Sequence, residues 1–278
     1  MALETPAAAA TSLIPAKRTL PDSVDLQLAA NVAESADLIL QKYGSSALYG
    51  KELLDSGDEF LHFEADRQQC MKVSPAKMKK IVADLCLLDP KFIPTVEASP
   101  LCTIGRNVGE QSHFASLVES VISQQLAIKA ADTIHARLVT LAKGEITPAR
   151  VAKISLEDLR AAGVSGAKAK TLHGLARAGL DGHISFDDLH EIENDQEIFN
   201  QLTALWGIGP WTVDMFMMFQ LGRLDIWPTG DLGVRRGWEK IHRLKEQIEP
   251  KKLDLKGEKF KPYRSVIAWY CWRAVDNK

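Results

Sequence analysis

From residue 113 onward, apolar residues recur at helical spacing in one segment after another, and only short turns separate the segments. No run of the chain shows the sustained apolar–polar alternation of a half-buried strand. Such a chain buries its apolar stripes by packing helix against helix, so we predict an all-α fold. The predicted helices are His113–Leu126, Ala127–Ala142, Leu156–Ala162, Ala167–Ala178, Gln196–Leu205, Trp211–Leu221, Asp231 to about Lys245, and Tyr263–Val275.

The N-terminal third differs in composition, and we place its boundary with the main domain near residue 95. Residues 1–23 are rich in Ala, Pro, Thr and Ser, so we expect a disordered tail. Residues 24–95 are predicted to be a helical extension, and residues 96–278 the main domain. Within this third the sequence predicts helices over 24–42, 48–55 and 75–87, a polar segment over 58–69 that suits a short strand pair, and a loop over 89–101 that enters the main domain.

Composition excludes several classes of protein. The chain has 278 residues, of which 46% are hydrophobic and 25% charged, as in ordinary globular proteins. No stretch approaches the roughly 18 apolar residues of a membrane-spanning helix. The four cysteines (Cys70, Cys86, Cys102 and Cys271) are too far apart in sequence for a zinc or iron–sulfur site, so we expect free thiols in a reducing compartment.

The formal net charge of −2 gives no indication of a nucleic-acid partner, but the charge is unevenly distributed. Residues 235–264 carry eleven basic and five acidic side chains. Such a cluster fits a phosphate-binding surface, and it also fits a solvated helix face next to a Lys-rich loop. On charge alone, the solvated face is the favoured interpretation.

The most informative segment is 205–213, with the sequence LWGIGPWTV. Gly207 and Gly209 flank one aliphatic residue between two helical patterns, which predicts a hairpin too tight for side chains at the turn positions. The helix that follows begins with unpaired backbone N–H groups, and such groups hold phosphate. The segment therefore indicates a helix-hairpin-helix. The alternative is an ordinary helix–helix connection with a glycine C-cap.

Asp231 follows a Pro/Gly loop, WPTG, and opens a predicted helix twenty residues after Trp211. Aspartate is among the best N-cap residues, so a purely structural role is one interpretation. An N-cap role is compatible with a catalytic role, since the helix N-terminus keeps a carboxylate ionised and orients it. Asp231 is therefore the first candidate for a catalytic group.

A hairpin of this type, followed about twenty residues later by a Gly/Pro loop and an aspartate, resembles the HhH-GPD DNA glycosylase superfamily. Three further segments resemble its alkylation-repair branch, the 3-methyladenine DNA glycosylase II family: SVISQQLAIKAADTI, LRAAGVSGAKAKTLHGLA and KPYRSVIAWYCWRA. The resemblance covers roughly residues 90–278. It implies an all-α helix-hairpin-helix glycosylase fold, in which two helical subdomains enclose the active site in a cleft.

The resemblance also implies roles for individual residues. Asp231 is the catalytic carboxylate, which stabilises the oxocarbenium-like sugar as the N-glycosidic bond breaks. Trp211 occupies the position where strand-cutting relatives carry a Schiff-base lysine, so we expect hydrolysis without lyase activity. A pocket for an electron-poor base is also expected, lined by Trp211, Trp272, Met215 and Phe216.

The DNA contacts come from two places in the resemblance. Gln125 falls where relatives insert a side chain into the stack that the flipped nucleotide leaves. The hairpin supplies the other expected contacts, namely Gly207, Ile208, Gly209, Trp211 and Thr212.

The expected partner is double-stranded DNA with alkylated bases, bound by a monomer with no membrane association. We therefore expect a cytoplasmic location, at the nucleoid, if the source is bacterial, and a nuclear location if it is eukaryotic. No protein metal site and no organic cofactor is expected, and a monovalent cation at the hairpin is the one ion that the resemblance allows.

Two other interpretations stay open at this point. A non-catalytic helix-hairpin-helix protein that binds damaged DNA would share the hairpin, although binding alone does not require a carboxylate at Asp231. A glycosylase for another lesion, such as uracil or hypoxanthine, would share both features. Base release from methylated DNA separates the three.

Overall fold

The structure is a computed structural model, and it describes residues 73–106 and 111–276. The predicted tail, the helices over 24–42 and 48–55 and the strand pair over 58–69 lie outside these residues. The described part contains α-helices and three short 3-10 helices but no strand, so the all-α prediction is confirmed there. The α-helices are α1 (Pro75–Leu88), α2 (Ile93–Glu97), α3 (His113–Ser123), α4 (Ile128–Leu141), α5 (Pro148–Val151), α6 (Leu156–Ala161), α7 (Gly166–Leu180), α8 (Asp195–Thr203), α9 (Pro210–Phe219), α10 (Leu232–His242), α11 (Pro250–Gly257) and α12 (Arg264–Asp276).

The helices predicted from residue 113 onward all exist, with ends that differ by a few residues. The predicted loop over 89–101 is wrong, because a 3-10 helix (Pro90–Phe92) and α2 occupy it. Burial explains the difference: Phe92, Ile93 and Val96 enter the core, and this packing favours helical turns over an open loop. The sequence also failed to predict α5 and α11. Both are short, and α11 contains three lysines on an exposed surface.

Serine caps fix where several helices begin. Each of these serines has extended backbone angles, and its hydroxyl accepts a hydrogen bond from the backbone N–H three residues later. A cap of this kind typically contributes about 1 kcal/mol to helix stability. The caps are Ser74 of α1, Ser112 of α3, Ser155 of α6 and Ser165 of α7.

Two packing arrangements determine where the candidate site lies. Helix α3 packs against α4, α7 and α9, which brings its C-terminal turn to the start of α9. Helix α10 packs along α12 in the most extensive helix pair of the described residues. The first arrangement places the turn after α3 beside the hairpin, and the second places the C-terminal helix beside Asp231.

The described helices are all too short or too polar to cross a membrane. Cys86, Cys102 and Cys271 are buried free thiols, as the sequence predicts. Burial raises the pKa of Cys86 and of Cys102 to about 12, so neither is a reactive thiolate near neutral pH.

Candidate active site

Asp231 is the N-cap residue of α10, and three N–H groups donate hydrogen bonds to its carboxylate. The backbone N–H of Val234 donates to Oδ1 at 2.8 Å, as in an ordinary N-cap. The indole Nε1 of Trp272 also donates to Oδ1, at 2.8 Å, and the indole Nε1 of Trp211 donates to Oδ2 at 2.6 Å. A carboxylate has about four acceptor positions, so roughly one remains for another group.

Two glycines of α10 allow the C-terminal helix to approach this closely. A Cβ on Gly233 would lie 2.7 Å from Cδ1 of Trp272, the indole that bonds to Asp231. A Cβ on Gly237 would overlap the carbonyl of Cys271. The two glycines lie one turn apart on the face of α10 that contacts α12. They therefore position Trp272 and were not predicted from the sequence.

The residues proposed for the base pocket occupy different environments. Trp211 is 47% exposed and Met215 is half-buried, so both can be reached from outside. Trp272 stacks on Phe219, with ring centroids 5.7 Å apart and planes inclined by 30°. Phe219 is itself 47% exposed, and it was not predicted as a pocket residue.

Phe216 is a core residue in this structure. Its side chain is 1% exposed and packs edge to face against His113, with ring centroids 5.9 Å apart. It presents no surface to a base. The accessible aromatic surface next to Asp231 therefore consists of Trp211, Trp272 and Phe219.

Of the two hairpin glycines, only Gly207 lies at a position that requires glycine. Gly207 has a φ of +85°, and a Cβ there would overlap the hydroxyl of Thr171 on α7. Gly209 has ordinary extended angles as the N-cap of α9, and a Cβ on it would meet open space. The prediction that both turn positions are too tight for a side chain is thus wrong for Gly209. The open space lies at the helix N-terminus, where a phosphate would approach.

Buried contacts hold the hairpin from behind. Ile208 is 5% exposed and belongs to the core, so it anchors the turn. Thr212 is also buried, and its hydroxyl accepts a hydrogen bond from Nε2 of Gln124 at 3.2 Å. The same amide lies 3.4 Å from the carbonyl oxygen of Gly207. The side chains of Ile208 and Thr212 therefore stabilise the hairpin and are not free to contact DNA.

The turn between α3 and α4 carries Gln125 on the surface. Gln125 has a φ of +55°, which non-glycine residues seldom adopt, and its side chain is exposed. The ammonium group of Lys168, on α7, donates to the carbonyl of Gln124 at 2.7 Å and to that of Ile122 at 2.8 Å. Lys168 thus ties this turn to α7 and satisfies carbonyls at the end of α3. This role of Lys168 was not predicted from the sequence.

A second exposed tryptophan lies on the hairpin. Trp206 precedes Gly207 and is 54% exposed, and Nζ of Lys170 lies 4.2 Å from its ring centroid. A cation over an indole face is a modest attraction at an exposed site. Together they add an aromatic surface and a positive charge beside the hairpin turn.

Asp214 lies one helical turn after Trp211 on α9 and was not predicted as a site residue. Burial, with a further contribution from the negative charge of Asp231, raises the pKa of the Asp214 carboxyl to about 7. A carboxyl with this pKa is about half protonated at neutral pH.

Among the residues that the structure describes, no group of three or more His, Cys, Asp or Glu side chains is arranged to hold a metal ion. The carbonyl of Gly207 already faces the Gln124 amide, and the carbonyl of Leu205 accepts the N–H of Ile208 at 3.1 Å. A monovalent cation at the hairpin stays a prediction.

Comparison with known proteins gives consistent matches. Residues 118–262 match the family described as "HhH-GPD superfamily base excision DNA repair protein". DNA-3-methyladenine glycosylase 1 of Schizosaccharomyces pombe is 35% identical over 171 residues, which are 60% of this chain and 75% of that protein.

Two solved structures superpose on the described fold. The crystal structure of a DNA-3-methyladenine glycosidase from Bacillus halodurans has a TM-score of 0.64 and 33% identity, covering 73% of this chain and 90% of that one. A 3-methyladenine DNA glycosylase of S. pombe in complex with abasic DNA has a TM-score of 0.57 and 30% identity, covering 66% and 89%.

Proposed function

Since the chain belongs to the HhH-GPD superfamily of base excision DNA repair proteins, we propose that it is a monofunctional DNA glycosylase that removes alkylated purines of the 3-methyladenine type. The single observation that carries this proposal is the Asp231 carboxylate, held by two indole N–H groups beside an accessible aromatic surface. A protein that only binds DNA has no need for a carboxylate oriented in this way.

The proposed reaction is hydrolysis of the C1′–N bond of the damaged nucleotide. The base leaves with the bonding electron pair, C1′ becomes cationic, and a water oxygen adds to C1′ while its proton passes to a carboxylate or to solvent. The negative charge of Asp231 stabilises the cationic sugar. Both Asp231 oxygens are held by fixed donors, so the charge is oriented before DNA binds.

The aromatic surface suits a cationic leaving group. Alkylation gives the purine a positive charge, and an indole face attracts such a ring through cation–π and stacking interactions. One face of Trp272 is covered by Phe219, which leaves the exposed indole of Trp211 as the main surface for a flipped base.

Trp211 also supports hydrolysis without strand cleavage. Its indole carries no amine that can form a Schiff base, and its N–H group donates to Asp231 at 2.6 Å. The expected product is an intact abasic site. A protein–DNA adduct trapped by borohydride would show that a lysine elsewhere acts as nucleophile.

DNA binding is proposed to use the backbone of the hairpin and the exposed turn at Gln125. The N–H groups at the start of α9 bind a phosphate, and Gln125 fills the space that the flipped nucleotide leaves. The protein acts as a monomer in this proposal. Monomeric binding is tested by sedimentation of the protein with a single-lesion duplex.

The test is base release from methylated duplex DNA by the wild type, Asp231→Asn and Asp254→Asn. Asp231→Asn keeps the size of the side chain and removes its charge, so we expect excision to fall at least about a hundredfold while duplex affinity survives. Asp254 is an exposed aspartate of α11, so Asp254→Asn controls for the loss of one negative charge. Excision by Asp231→Asn at the rate of this control would refute the proposal.

A further inference from the structure

The feature that the proposed function leaves unused is the carboxyl of Asp214. It lies three residues after Trp211 on α9, where side chains point to neighbouring parts of one helix face. It lines a cavity of about 410 Å³, and Trp227 forms another part of the cavity wall. Trp227 begins the loop that ends at Asp231, and the Asp231 N–H is held by the carbonyl of Pro228 at 2.9 Å. The cavity therefore borders the start of the loop that leads to the proposed catalytic carboxylate.

Three other charged side chains line this cavity, and each has a partner of opposite charge. They are Arg264, Asp225 and Asp195. Arg264 of α12 donates to Asp225 through Nε at 2.7 Å and through Nη2 at 3.0 Å. Asp195, at the start of α8, lies 3.3 Å from Nε of Arg223. Each of these two aspartates therefore has an arginine partner.

Asp214 has no such partner. Within the described residues, its carboxyl makes no hydrogen bond or ion pair, and the only charge that shifts its pKa is that of Asp231. Asp231 itself is held by neutral N–H donors. Ionisation of Asp214 therefore adds a second uncompensated negative charge next to the first.

We propose that Asp214 is an electrostatic positioning residue of the site, whose ionisation sets how much negative charge Asp231 and its surroundings present to the cationic sugar. The inference rests on the proposed glycosylase function and adds a regulation of that same site. Asp214 acts through the field at Asp231 and does not touch the reacting atoms.

The direction of the effect follows from the charges. Below neutral pH Asp214 is protonated, and the sugar cation is stabilised by Asp231 alone. As the pH rises through about 7, Asp214 ionises and a second negative charge stabilises the same cation. Excision therefore accelerates across neutral pH, and this acceleration depends on the Asp214 carboxyl.

The experiment compares the wild type with Asp214→Asn and with Asp195→Asn. The first variant is permanently neutral at the position in question. The second variant removes the Asp195 carboxyl, which lines the same cavity and whose pKa is also raised by burial. Unlike Asp214, Asp195 is paired with Arg223, and the charge of Asp231 does not shift its pKa. Single-turnover excision from a methylated duplex is measured with enzyme in excess, from about pH 5.5 to about pH 8.5.

The expected result is a change in the rate ratio of wild type to Asp214→Asn. The ratio is near one at the acid end and rises about threefold or more at the alkaline end, while the Asp195→Asn profile stays parallel to that of the wild type. Forming the ratio cancels any titration of the substrate. Parallel profiles for wild type and Asp214→Asn would overturn the inference, because a residue with only a structural role lowers the rate equally at every pH.

A second readout needs no excision and separates the inference from the proposed function. With 13C-labelled aspartate carboxyls, the Asp214 signal is expected to titrate near neutral pH. Asp214→Asn removes this titration, and Asp195→Asn keeps it. An Asp214 signal that titrates as in a free aspartate overturns the inference even if excision is observed. Titration of Asp214 near neutral pH without any excision by the wild type refutes the glycosylase function alone.

Discussion

The hairpin and the Asp231 site are neighbours on α9 and its flanking loops, yet they are built in opposite ways. The hairpin is held from behind by buried groups: Gly207 lies against Thr171, Ile208 enters the core, and the Thr212 hydroxyl bonds to Gln124. Asp231 is held from the front by indoles, and one of these, Trp211, is 47% exposed. In the proposed complex, a phosphate meets backbone that is held from behind, whereas a base meets exposed aromatic side chains.

This difference implies that binding and chemistry fail separately. Substitutions behind the hairpin disturb the backbone and affect every duplex, damaged or not, because phosphate contacts carry no lesion information. Substitutions around Asp231 alter the field on the sugar and leave the phosphate contacts in place. Three sets of variants test this separation, in order of decreasing expected effect.

Gly207→Ala is expected to have the largest effect. It combines a positive φ with an overlap on Thr171, which together cost about 2–4 kcal/mol of stability and displace the N–H groups of α9. Duplex affinity should fall for damaged and undamaged DNA alike. Denaturant unfolding and fluorescence anisotropy measure the two effects.

Gly209→Ala is the matched control, since its Cβ meets open space and its φ is ordinary. It should keep the stability of the wild type within about 1 kcal/mol and weaken DNA binding only by crowding the phosphate. The double variant Gly207→Ala/Thr171→Ala should recover part of the lost stability, because it removes the overlapping hydroxyl. Equal stability losses in the two single glycine variants would contradict the assignment of Gly207 as the constrained position.

Trp272→Phe should have an intermediate effect on chemistry and little effect on binding. The substitution keeps an aromatic ring against Phe219 and removes the N–H group that donates to Asp231. A hydrogen bond to a charged group is worth about 1.5–3 kcal/mol, so we expect excision to fall roughly tenfold to a hundredfold.

Gly233→Ala tests the same contact from the other side, since its Cβ would displace the Trp272 indole. Both variants should bind an abasic-site duplex with the affinity of the wild type in anisotropy titrations. A rate in single-turnover assays equal to that of the wild type for both variants would show that the Trp272 bond contributes nothing to the chemistry.

Gln125 should show the smallest effect and also requires the most careful control. Its φ of +55° makes Gln125→Ala change the turn as well as the side chain, whereas Gln125→Gly removes the side chain and suits the backbone. We expect Gln125→Gly to slow excision several-fold with an unchanged affinity for undamaged duplex. An unchanged excision rate would remove Gln125 from the proposed set of DNA contacts.

The sequence predicted the parts of the molecule that depend on local pattern. Helix periodicity predicted the helices from residue 113 onward, and the Pro/Gly loop before a predicted helix singled out Asp231, which is the N-cap of α10. Gly207 was predicted as a turn glycine and has a positive φ. These features require only a few neighbouring residues, so a single sequence contains enough information for them.

Features that depend on distant partners were not predictable in this way. Gly233 is required only because Trp272 approaches it, and Lys168 is important only because the turn at Gln124 lies beside it. Phe216 was expected in the pocket, but the way α9 packs against α3 buries Phe216 in the core and leaves Phe219 exposed. Which face of a helix is buried depends on its neighbours, and no local pattern in an almost wholly apolar helix specifies that face.

The N-cap role of Asp231 has a consequence for how this position can vary. One carboxylate both starts α10 and carries the proposed chemistry, so a mutation that abolishes the charge also removes a helix cap worth about 1 kcal/mol, unless the new residue caps as well. Asparagine and serine retain the cap, whereas alanine does not. Substitutions of Asp231 that abolish activity therefore fall into two classes. Those that keep the cap leave a folded protein that still binds lesions without excising them. Those that lose the cap weaken α10 and expose the protein to proteolysis.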